Sequence, residues 1–133
     1  MSQHHGMHSA PDTRTLVNFP PELRQHTLRA MRAHLEAIST IEQALAEGQF
    51  QQAAQVAESA LGMSSLHDHR ARDNASYMPA AMAQMGTAMH QAASQFAIAA
   101  QDASASGDYK PPLQALARLT SSCVACHAAY KRQ

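Results

Sequence analysis

Cys123, Cys126 and His127 stand in the run Cys-Val-Ala-Cys-His, the most chemically specific stretch of this chain. The pattern C-x-x-C-H is the attachment sequence of c-type haem. Its spacing has a physical reason: two thiols about one helical turn apart each reach a vinyl group to form a thioether. The next residue then offers its imidazole to the iron from the same side. These are the only two Cys, and they lie too close together to staple a fold. A thioredoxin-like redox pair wants a βαβ setting, which the pattern of this chain does not offer. A structural zinc site would need a fourth ligand from elsewhere, and His127 directly adjoins Cys126.

Helices are the elements expected to position this motif. Residues 1–19 show no helical period and read as a flexible His-rich arm and lead-in, leaving 20–133 as the folded domain. Pro20 and Pro21 suit a first helical turn, where a missing N–H costs nothing. Leu28, Met31, Leu35, Ile38, Ile41 and Leu45 then recur at steps of three and four, one apolar stripe ending before Gly48. A second helix runs from about Phe50 to Gly62. Residues 63–77 are weakly patterned, a long connection or a frayed continuation of that helix. A third helix opens near Met78-Pro79 and stops at the Ser-Ala-Ser-Gly-Asp turn, and a fourth begins around Lys110 with a stripe that includes Cys123, His127 and Tyr130. Four amphipathic helices with mostly short connections predict an all-α, antiparallel four-helix bundle, here with covalently bound haem.

Composition supports that class. The chain has 133 residues, enough for one compact core, with 45% hydrophobic residues, 5% aromatic residues and no Trp. It is rich in Ala, a helix-forming bias with little to offer a sheet. Ten basic and ten acidic side chains give a formal net charge of zero, without the footprint of a nucleic-acid binder. No run of roughly 20 apolar residues is present, so no membrane insertion is expected. Met1 to Asp12 is polar and lacks an apolar segment, the expectation for a cytosolic chain or for a mature one whose signal peptide has been removed. No carboxylate pair, nucleophile–base pairing or phosphate loop is recognisable, so enzymatic turnover is not expected.

The chain resembles the class II c-type cytochromes, the cytochromes c prime, over about residues 22–131. The resemblance rests on Leu23-Arg24-Gln25, the Ser106-Gly107-Asp108 turn, the distance from Gly107 to Cys123, and the ending CVACHAAYK. It implies one covalent haem c on Cys123 and Cys126 with His127 as proximal iron ligand. It also implies a periplasmic protein whose signal sequence has been removed, and a possible homodimer through the first two helices. In the family the distal residue follows the Arg-Gln pair on the first helix, which places Leu28 there. Leu cannot coordinate iron, so a five-coordinate haem in an apolar pocket for NO or CO is the first expectation. Met31, three residues on, is the alternative: as sixth ligand it makes a low-spin electron carrier serving a redox partner protein. Arg24 and Gln25 are expected near the haem propionates or the pocket mouth, and Tyr130 against the haem edge or the first helix. Lys131 stands where the family often has Arg.

The row Met78, Met82, Met85, Met89 is expected to fill irregular core space beside a flat cofactor. His90 is expected at the core edge or in solvent, with His34 flanking the first stripe. His4, His5, Met7 and His8 bring imidazoles and a thioether into five residues, a copper-suited set. If Ser2 is the mature terminus, the amine, two peptide nitrogens and the His4 imidazole form a square-planar set for Cu(II). Titration with Cu(II) tests this: one tight equivalent is expected with residues 2–8 present, lost on their removal. Equal binding by both forms eliminates the arm as a copper site.

Overall fold

The computed structural model describes residues 10–67 and 70–133. The chain is mostly helical with little strand, compatible with an all-α fold. Helix α1 spans Pro21–Ala46, α2 Phe50–Leu61, α3 Ala71–Ala75, α4 Ala80–Ser106 and α5 Lys110–Ala129. Among the described residues no helix is long and apolar enough to cross a membrane.

Local chemistry places the ends of these helices. Pro20 precedes α1 in an extended conformation and Pro21 occupies its first turn, and the Pro20 carbonyl accepts from the Arg24 N–H at 2.8 Å. Gly48, at φ 71°, reverses the chain after α1, a left-handed conformation that favours glycine. The Gln49 N–H closes that turn on the Ala44 carbonyl. Gly107, at φ 72°, ends α4 in the same way, and the Asp108 carboxylate accepts from the Lys110 N–H at the start of α5. Between α2 and α4 the weakly patterned stretch is a 3-10 turn at Met63–Ser65 followed by α3.

The long helices pack in chain order, α1 on α2, α2 on α4 and α4 on α5, whereas no comparable packing joins α1 to α5. Their core is made of Ile41, Leu45, Phe50, Leu61, Phe96, Leu116 and Leu119 around small residues. Ala53 and Ala57 of α2 and Ala93, Ala97 and Ala100 of α4 are buried, which lets the backbones approach closely. The Ala face of α2 is therefore occupied within the chain. At the far end the Tyr109 hydroxyl donates to the Leu45 carbonyl at 3.0 Å and its ring meets Phe50 at 4.8 Å between centroids. That contact ties the end of α1 to the start of α5.

The chain ends depart from expectation. Strands β1, Thr15–Val17, and β2, Tyr130–Arg132, pair in parallel with Thr15 opposite Tyr130 and Val17 opposite Arg132. The lead-in was expected to lack regular structure and Tyr130 to continue the last helical stripe. Instead the backbone turns extended at Tyr130, φ −129° and ψ 148°, because pairing with β1 satisfies its polar groups. Val17, Phe19 and Leu23 are buried together, with Met78, Met82 and Tyr130 packed on them.

Two residues of α4 test where the core lies. Phe96→Ala removes a side chain with no exposed surface and is expected to cost about 3–5 kcal/mol of unfolding free energy. Ile98→Ala, at an exposed position, is expected to stay within about 0.5 kcal/mol, both read from urea unfolding.

Candidate functional site

Cys126 and His127 sit on the last turns of α5, where they help line a cleft of about 280 Å³. Thr27 and Met31 of α1 form another wall, and Phe19, Tyr130, Met78 and Met82 complete the apolar lining. Met82 lies in the first turn of α4 and Met78 just before that helix. Cys123, one turn before Cys126, is half-buried, with its thiol 3.7 Å from the Leu119 carbonyl. Burial pushes both thiols above their ordinary pKa, and for Cys126 the neighbouring Cys123 adds to the effect.

Pairing of the chain ends puts cations around the cleft. Arg14 donates from Nη1 to the His127 carbonyl at 3.4 Å and grips the Asp12 carboxylate through Nε at 3.0 Å and Nη2 at 2.9 Å. Lys131 Nζ reaches the same carboxylate at 3.4 Å. The hydrogen bonds from Arg14 hold Asp12 well below the usual carboxylate range. Arg132 donates from Nη1 to the Arg24 carbonyl at 2.9 Å and to Thr27 Oγ1 at 3.2 Å. Its pKa is lowered by burial first and then by the like charges of Arg24 and Arg32. Arg24 Nε is buried without a hydrogen-bond partner. Among the described residues no carboxylate pairs with Arg24 or Arg132.

These residues fit a haem of the c type by their chemistry. Cys126 and His127 stand in the cleft with the Met31 thioether, and Cys123, outside its lining, lies one turn earlier on the same helix. Leu28, Met31 and Leu35 remain 39%, 43% and 71% exposed, an apolar strip that a planar cofactor could cover. Two guanidiniums without carboxylate partners suit the propionates.

Of the residues singled out from the sequence, the cleft brings together Cys126, His127, Met31 and Tyr130. Leu28 and half-buried Arg24 lie outside its lining, Gln25 is exposed on α1, and the Arg24 carbonyl accepts from Arg132. Met78 and Met82 do pack, as expected, but they also face the cleft. Arg14, Phe19, Thr27 and Arg132 were missed. The contacts of Arg14 and Phe19 join opposite ends of the chain, for which no local signal exists. His90 corrects an expectation: it is buried, and its Nδ1–H donates to the Leu61 carbonyl at 2.6 Å, with the His34 ring edge-on at 6.2 Å. His4 and the rest of the arm through residue 9 lie outside the described residues. Among the described residues no group of three or more His, Cys, Asp or Glu is arranged to hold a metal ion.

Comparison with known protein families, curated proteins and solved structures finds no match. The chemistry of the cleft therefore carries the functional argument. Raised thiol pKa values lower the thiolate fraction at neutral pH. In haem-free chain at pH 7.5, alkylation of Cys123 and Cys126 by iodoacetamide is expected to be slower when folded than in denaturant; equal rates would contradict the burial.

Proposed function

We propose that this chain is a monohaem c-type cytochrome of class II type, in which α1, α2, α4 and α5 form an antiparallel four-helix bundle around one covalent haem c. The observation that carries the reading is a single cleft lined by His127 and Cys126 of the attachment motif and by the Met31 thioether. When bound, haem supplies one-electron redox chemistry at its iron.

The residues divide that work. Cys123 and Cys126 fix the cofactor by thioether bonds, so it cannot dissociate on reduction or oxidation. His127 supplies the proximal nitrogen. Met31 stands on a different helix from His127, which supports it as the sixth ligand and favours electron transfer to a redox partner protein. Arg24 and Arg132 offset propionate charge, while Phe19, Tyr130, Met78 and Met82 keep water from the cofactor face. No enzymatic turnover is assigned to these residues. Because haem attachment of this kind takes place outside the bacterial cytoplasm, it also implies a periplasmic protein.

A second reading retains a specific support. Leu28 is an exposed apolar residue on the same helix, and turned toward the cofactor it would offer no ligand and would leave an apolar site suited to NO or CO. The homodimer and the copper-binding arm at His4 remain accessory proposals.

The optical spectrum of the reduced protein decides between the two. With Met31 as ligand, sharp and split α/β bands are expected without added ligand, and Met31→Leu is expected to give a high-spin spectrum that responds to CO. A broad high-spin spectrum in the covalently loaded wild-type protein would overturn the Met31 assignment in favour of Leu28.

A further inference from the structure

The formal charge of zero conceals a separation of charge along the helices. Arg24, Arg29, Arg32, Lys131 and Arg132 lie on the half of the molecule that holds the cleft, with Arg14 at its lining. Glu42, Glu47, Asp102 and Asp108 are exposed toward the opposite end, where α1 and α4 finish, and outnumber Lys110 and Arg118 on the first half of α5. Helix α1 alone is about 40 Å long at 1.5 Å per residue, several screening lengths at physiological salt. The two poles therefore act on an approaching partner as separate charges.

Local pairing does not cancel the basic pole. Asp12 is shared by Arg14 and Lys131, Glu22 and Asp73 are taken up by Arg70, and Glu36, exposed one turn past Arg32, forms no ion pair with it among the described residues. Arg29 and Arg32 are exposed and enter no ion pair among the described residues. Repulsion from Arg24 and Arg32 is already felt at Arg132. Haem propionates, if held by Arg24 and Arg132, leave Arg29 and Arg32 unmatched.

We propose that this cleft-bearing pole is the docking surface for an acidic face on a partner protein with which the chain exchanges electrons. The inference rests on the cytochrome reading, since a redox partner has to approach where the cleft opens. Charge complementarity identifies the partner's chemistry, and the distant acidic pole orients the encounter.

The test uses the haem-loaded full chain and two small redox reagents, an anionic iron cyanide complex and a cationic cobalt ammine complex. Raising ionic strength from about 10 to 150 mM is expected to slow exchange with the anion about tenfold and to speed exchange with the cation. Arg29→Glu with Arg32→Glu should abolish or reverse this response. Lys110→Glu with Arg118→Glu, which makes the same change in net charge elsewhere, should leave it within twofold. In binding measurements the protein should be retained by immobilised poly-L-glutamate at low salt and not by vesicles containing anionic phospholipid. Matching salt responses for the two reagents, retention on the vesicles, or salt-sensitive self-association would overturn the proposal. Failure of the cytochrome reading is separately visible as a chain without covalent haem that exchanges electrons with neither reagent, and poly-L-glutamate binding still tests the pole.

Discussion

Separation of α1 from α5 at one end of the molecule is the constraint on which the cleft depends. At the other end the two helices are drawn together by Tyr109, whose hydroxyl meets the Leu45 carbonyl and whose ring lies on Phe50. Buried Ala on α2 and α4 brings those helices close, so Ile41 and Leu45 complete their contacts in a dense core. Toward the start of α1 the same apolar stripe runs on as Leu28, Met31 and Leu35, which remain substantially exposed. A helix whose stripe is half core and half surface has apolar area left to cover, and the attachment motif stands beside that surface.

The chain ends hold this arrangement. Parallel pairing of β1 with β2 ends α5 at Tyr130 and directs Arg14 toward the His127 carbonyl. The satellite core of Val17, Phe19 and Leu23 packs under Met78, Met82 and Tyr130, so the cleft wall does not depend on α1 and α5 touching. Charge reinforces the same geometry. The Asp12–Arg14 pair is exposed and adds little stability, but it orients the guanidinium beside the motif. Half-buried Arg132 sits against α1 through the Arg24 carbonyl and Thr27 hydroxyl, linking the end of the chain to the helix that carries Met31.

Much of this was legible in the sequence because it is local. Three- and four-residue apolar steps, Pro in first turns and Gly48 and Gly107 as stops locate all four long helices to within a few residues. The Cys-x-x-Cys-His run points to haem attachment by its spacing, and the structure adds that Cys126 and His127 line a cleft with Met31. What was not legible depends on contacts between remote segments. Two three-residue strands more than 110 positions apart have no periodicity to read, and Arg14 and Phe19 gain their places only through them. His90 sits one position past an apolar stripe, yet the Leu61 carbonyl supplies the acceptor that makes its burial tolerable. Helical period places Leu28 and Met31 near one another on α1, but it does not tell which of them meets the cleft.

The proposed covalent capture of haem by Cys123 and Cys126 is tested by intact mass under denaturing conditions. The full chain should be produced in a bacterial host with periplasmic haem attachment. The expected mass is that of the polypeptide plus one haem, retained through acid and organic solvent and lost in the double variant Cys123→Ala, Cys126→Ala. A wild-type chain at the mass of the bare polypeptide, from a host that loads a control c-type cytochrome, would contradict it.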